Sequence, residues 1–220
     1  MTNIIRQTLF DLRCWWRNGE QLLLMLLIPA FGLLFGERVT RQLDLGSVTY
    51  VDGVVVLSFF ATAFTGQAIL TAFDRRSNAL LVLGAGVLGR RGFLTARLSA
   101  VFITCLLQTA VLFIIMQFTG IEHPNFLAHS GIALLGIPSF AAMGLLLAGT
   151  FRAEVVLGLA NLVFMAAVFV GGAFSPSIWS PIGAVRHIQI GDSVGAAVLS
   201  LAAWAITAAG TATRTFRWVD

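Results

Sequence analysis

Six apolar blocks, each of about 20 residues, limit this chain more than any other feature. A helix of that length crosses the ~30 Å hydrocarbon core of a bilayer, where each backbone N–H and C=O must be satisfied within the segment. The blocks fall at about 21–36, 54–73, 93–119, 130–150, 155–174 and 193–213. In a chain of 220 residues they leave only short connections. The expectation is an all-α membrane protein with six transmembrane helices in a single transmembrane domain, 1–220. With 58% hydrophobic and 11% charged residues, the chain has too little charge to cover a soluble surface.

The connections carry unequal numbers of arginines. All 14 basic residues are Arg and none is Lys. The N-terminus, the loop 74–92 with Arg97 just beyond, the connection 151–154 and the tail hold Arg6, Arg13, Arg17, Arg75, Arg76, Arg90, Arg91, Arg97, Arg152, Arg214 and Arg217, eleven in all. The opposite connections hold three, Arg38, Arg41 and Arg186. The acids divide five and five and do not decide. Arginine excess marks the cytosolic side, so both termini are expected in the cytosol, which an even number of spans permits.

Three segments outside the spans have a pattern of their own. Over 3–18, Ile5, Leu9, Leu12 and Trp16 recur at spacings of three and four, with Arg6, Arg13 and Arg17 on the other side. This predicts an amphipathic helix in the membrane interface, with Trp15 and Trp16 at headgroup depth. In 74–92, Asp74-Arg75-Arg76 is followed by an apolar stretch, Ser77 to Leu83, and then by Gly89-Arg90-Arg91-Gly92. A short helix capped by Ser77 would lie there along the inner surface, offering Leu80, Leu81 and Leu83 to a cytosolic partner. The outer segment 175–192 contains Pro176, Trp179 and Pro181.

Several chemistries are excluded or weakened. The arginines lie in the gaps between apolar blocks rather than on an aromatic-laced polar face, which argues against nucleic acid. A G-x-x-x-x-G-K-[ST] phosphate loop needs a lysine that the chain lacks, so no ATP hydrolysis by that route is expected. Gly84, Gly86 and Gly89 match G-x-G-x-x-G, but without surrounding strand–helix units they read as the end of one short helix and the start of the next. Cys14 and Cys105 show no disulfide or metal spacing. The N-terminal residues carry too much charge for a cleavable signal peptide.

His123, His129 and His187 fall in or beside outer loops and read as structural, and no cluster of acids or histidines is evident at one membrane face. The acids Glu20, Asp52, Asp74, Glu154 and Asp192 read as lying at span ends and in loops. Carriers driven by ions or protons keep carboxylates inside the membrane. A chain without them would draw energy for transport from another subunit. Inside the spans, Asn161 is expected to hydrogen-bond a neighbouring helix.

Taken together, these segments resemble the permease subunit of type-2 ATP-binding-cassette (ABC) transporters of the exporter kind. The resemblance covers nearly the whole chain. It rests on the interfacial helix ending in Cys14-Trp15-Trp16-Arg17-Asn18, on Pro29 in the first span, on Asp74-Arg75-Arg76…Gly89-Arg90-Arg91-Gly92-Phe93, and on Phe174-Ser175-Pro176…Trp179-Ser180-Pro181 before the last span. The family loop often begins Glu-Arg and contains a proline; here Asp74-Arg75 stands at its start and Gly86 to Gly89 replace the proline region.

The resemblance implies a multi-pass protein of a prokaryotic cytoplasmic membrane, paired with a second permease copy or a related permease and with a cytosolic ATPase that holds ATP and Mg. The chain would bind no cofactor and would not itself be an enzyme. Asp74, Arg75, Arg76, Leu80, Leu81, Leu83, Arg90 and Arg91 would couple to the ATPase through a helix over about 75–83. The segment 175–190 would form short re-entrant helices, with Pro176, Trp179 and Pro181 at an outer gate. Phe60, Phe64, Gln67, Gln108, Asn161 and Phe164 would line a pathway for a hydrophobic or amphipathic cargo such as a drug or lipid. The alternatives are a membrane-embedded lipid-modifying enzyme and a non-transporting assembly or immunity protein.

Overall fold

The computed structural model describes residues 2–17, 26–27, 29–36, 47–85, 88–169 and 177–216. Those residues are almost entirely helical, with no strand among them. An amphipathic helix, α1 (Thr2–Arg17), comes first, and residues 26–27 and 29–36 are helical. A long rod follows: α2 (Ser47–Phe60), a π-helical turn (Ala61–Gly66) and α3 (Gln67–Arg76). Next come the short α4 (Ala79–Ala85) and α5 (Gly89–Thr119). Then α6 (Phe126–Ala133) continues through a 3₁₀ turn (Leu134–Gly136) into α7 (Ile137–Thr150). The chain ends in α8 (Ala153–Phe169), α9 (Pro181–Ile190) and α10 (Val194–Thr215).

Four helices are long and apolar enough to cross a membrane: Tyr50–Arg76, Arg91–Thr119, Phe126–Thr150 and Val194–Thr215. A shorter apolar helix spans Ala153–Val168. Much of their apolar surface faces outward, including Phe118, Leu162, Leu199 and Ile206. Water would penalise so large an apolar exterior, so the chain is built to sit in a membrane. Residues 21–25 and 28 of the first block, the polar stretch 37–46 with Arg38 and Arg41, the end of the fifth block, the start of the outer segment with Pro176, and the tail with Arg217 lie outside the described residues.

Helix punctuation follows local chemistry. Pro138 stands in the first turn of α7, where its missing N–H costs nothing, and the 3₁₀ turn precedes it. Gly120 and Gly191 end α5 and α9 in the left-handed conformation that glycine adopts without strain. Ser180 caps α9, its Oγ accepting the Gly183 N–H at 2.9 Å, with Pro181 next in line. The glycine-rich run behaves as its composition suggests, since α4 ends at Ala85 and α5 starts at Gly89.

Lipid offers no hydrophobic drive for helices to associate, so close packing and polar contacts must hold them. The rod α2–α3 lies at the centre, against α7 and α8, and α10 packs on α7. Gly144 of α7 meets the π-helical turn so closely that a Cβ there would stand 2.7 Å from the Phe64 carbonyl oxygen. Phe60 stacks on Phe64 and meets Phe140 edge-on. Thr62 and Gln108 exchange hydrogen bonds between the rod and α5 at 3.0 and 3.2 Å. Ser139 donates to the Leu201 carbonyl at 2.9 Å, tying α7 to α10.

Candidate functional site

The segments that the arginine count groups together also meet in space. At one end of the bundle, Arg97 on α5 pairs with Asp74 at the end of α3 and reaches Asp11 of α1 at 3.5 Å. Its guanidinium also lies over the Phe93 ring, 5.4 Å from the centroid. Thr8 of α1 donates to the Ala96 carbonyl at 3.3 Å. The buried Arg75 donates to the carbonyls of Ala148 (2.6 Å) and Phe151, satisfying orphan acceptors at the end of α7. Arg76 pairs with Glu154 in the first turn of α8. Phe216, just past α10, lies against Gly149. One charged belt therefore joins α1, α3, α5, α7 and α8.

The short α4 hangs from this belt, packed against α3 and α5. It starts later than the sequence suggests. The Ser77 hydroxyl bonds back to the Asp74 carbonyl at 3.1 Å and Asn78 turns with φ +59°, so Ser77 closes α3 rather than capping α4. Leu80 is fully buried, Leu83 half-buried, and Val82 is 71% exposed. The outward point of α4 is thus Val82, a residue the sequence reading did not single out. Arg91 is exposed; the side chains of Leu81 and Arg90 lie outside the described set.

Burial pushes the Asp11 carboxyl above its ordinary value; Arg97 and the Gln7 amide pull it back down without cancelling that effect. Trp15, expected at headgroup depth, is buried against the core while Trp16 stays exposed. The tandem tryptophans of α1 therefore face opposite environments.

The residues expected along a pathway divide. Phe60, Phe64, Gln67 and Gln108 are buried inside the single chain. Phe164 packs on the core from its edge. Asn161 is exposed and donates to the Leu157 carbonyl of its own helix at 2.8 Å, not to a neighbouring helix. Of the outer-gate residues, Trp179 is exposed and its carbonyl accepts the Trp204 indole N–H at 2.9 Å. Pro181 is buried at the start of α9. Pro176 lies outside the described residues.

At the opposite end of the rod the structure corrects two sequence expectations. Asp52 is not in a loop; it lies in α2 and is buried. His129 is likewise in a helix, α6. Together with His123 they form the cluster of acid and histidines that the sequence does not reveal. Asp52 Oδ1 lies 3.0 Å from His123 Nε2, and Oδ2 lies 2.8 Å from His129 Nδ1 and 3.0 Å from Arg186. Arg186 also donates to Gln189 Oε1 at 2.7 Å, and Gln189 donates to the His129 carbonyl at 3.0 Å. One carboxylate thus fastens α2 to α6, to α9 and to the turn at His123.

Fold and site together define a helical, multi-pass membrane-embedded protein with a charged belt at one end and a buried Asp–His–Arg cluster at the other. Comparison with family models, with curated proteins and with solved structures finds no match.

Proposed function

We propose that the chain is the permease subunit of a type-2 ABC exporter. In this reading it crosses the cytoplasmic membrane six times, with the belt of Asp11, Asp74, Arg75, Arg76 and Arg97 on the cytosolic side. The observation that carries the proposal is the seating of α4. A short helix with an exposed apolar point, Val82, and a buried root, Leu80, hangs from a belt that grips five other helices. A cytosolic ATPase closing around ATP and Mg would push on Val82. Leu80 would carry the push into α3 and α5, and Arg75 and Arg97 would spread it to α7 and α1. Rigid helices would then deliver it to the far end, where α9 is tied to the rod through Asp52.

Several features support export of a hydrophobic or amphipathic cargo by a pair of such chains. The arginine excess favours a cytosolic belt. The short, capped α9 before the last long helix suits an outer re-entrant closure. The exposed apolar helix faces suit both lipid and a second permease. No phosphate loop is available in the sequence, so the energy would come from the partner.

A membrane-embedded enzyme is the second reading, favoured by the Asp52–His123–His129 cluster. It is the weaker one, because both Asp52 oxygens are already engaged by imidazoles and Arg186, which leaves the carboxylate no unengaged oxygen to act as a base.

The test is isolation of the tagged chain from its native membranes. The expected result is a co-isolated protein that has a phosphate loop and hydrolyses Mg-ATP. Isolation of the chain without any ATPase, and with none encoded beside it, would overturn the reading.

A further inference from the structure

Asp52, His123 and His129 come from helix, turn and helix, yet one ligand atom from each lies within 4.8 Å of the others. We propose that these three residues bind a single zinc-like transition-metal ion, and that this ion clamps the end of the bundle remote from Arg75. Two imidazoles and one carboxylate are the donor set of a three-ligand zinc site, which leaves a fourth position for water or an anion. Calcium and magnesium call for more oxygen donors than the cluster holds.

The surroundings are built to hold such ligands in place. Arg186 bonds Asp52 Oδ2, and the ion would take the place of the hydrogen between Oδ1 and His123 Nε2. Gln189 links Arg186 to the backbone of His129. Outer hydrogen bonds of this kind orient the ligands of metal sites.

The proton count closes without loss. Before the ion enters, each imidazole donates one N–H to Asp52. When the ion takes Nε2 of His123 and Nδ1 of His129, each ring moves its proton to its other nitrogen, which for His123 is the buried Nδ1, an atom with no hydrogen-bond partner among the described residues. For His129 that nitrogen belongs to a ring 17% exposed, open enough to exchange with solvent. Asp52 and Arg186 cancel in charge, so a divalent ion brings an excess that hydroxide or chloride at the fourth position would reduce.

The experiment is zinc titration of the full chain in detergent after EDTA treatment, in a Cys14→Ser background because that thiol is exposed. One zinc per chain is expected, with no uptake of calcium or magnesium. His123→Ala and His129→Ala should each weaken binding at least about tenfold, and Gln189→Ala by about tenfold. His187→Ala removes the exposed His187–Asp192 pair and should change nothing. Cobalt added to the unmutated clamp should give the visible absorption of a low-coordinate nitrogen–oxygen site, a readout that needs no variant to fold. No stoichiometric zinc, or zinc lost in His187→Ala but kept in His123→Ala and His129→Ala, would overturn the proposal.

Discussion

Asp52 and Arg186 meet at 3.0 Å, with side chains 2% and 1% exposed. They lie 134 positions apart in the chain. Buried charges of this kind are tolerated because each neutralises the other; removing one partner strands the other in a poor solvent for ions. Arg186→Met should therefore cost about 3–5 kcal/mol, read as a lower thermal unfolding midpoint in detergent. Adding Asp52→Asn should recover part of the loss, because it removes the stranded charge.

Gly144 separates packing from helix propensity. Gly144→Ala would press a methyl toward the Phe64 carbonyl, at a cost of about 1–3 kcal/mol for overpacking. Gly158 on α8 has nothing within 4 Å of the same position, so Gly158→Ala should be neutral or stabilise by up to about 1 kcal/mol. Unfolding midpoints of the two variants should move in opposite directions or differ plainly in size.

The belt predicts a pH dependence with a definite sign. Burial raises the folded-state affinity of Asp11 for its proton. The contribution of Asp11 to stability is therefore most favourable below the ordinary carboxylate value and falls as pH rises through the raised one. Asp11→Asn should leave the neutral-pH midpoint equal or higher, and the natural chain should gain on that variant as the pH is lowered toward about 4. Arg97→Ala should be worse than Asp11→Asn at neutral pH, because it deprives both Asp11 and Asp74 of their partner.

The two ends of the bundle were not equally legible in the sequence. Apolar run length exposes the four long helices directly, and the arginine excess picks out segments that do meet at the belt. The Asp52 cluster escaped because polar residues near the ends of apolar blocks look like loop residues. Its members are also 71 and 77 positions apart, beyond any local motif. A signal was present: Asp52 sits in Val-Thr-Tyr-Val-Asp-Gly-Val-Val-Val, an acid flanked by apolar residues, and a span begun a few residues earlier would have buried it. Trp15 misled for a related reason, since an interfacial tryptophan and a core tryptophan look alike until α1 is packed on α5. The π-helical turn was not legible either; it lies where α7 comes close at Gly144, a contact between residues far apart in the sequence.

Leu80 and Val82 of α4 should respond differently. Leu80→Glu places a charge in the core and should lower the yield of folded protein. Val82→Glu alters only an exposed side chain, so the chain should fold normally while ATP hydrolysis by the co-isolated partner loses its link to transport. Equal folding defects in both variants, measured by monodispersity in detergent, would contradict this division.

The central claim is that the belt end receives the ATPase. Its most direct test is thiol cross-linking of the isolated complex, with one cysteine introduced at Val82 or at Trp179 in a Cys14→Ser background, where the remaining Cys105 is buried. The account predicts that Val82→Cys joins the ATPase and Trp179→Cys does not. Capture of the ATPase from Trp179→Cys, with none from Val82→Cys, would contradict it.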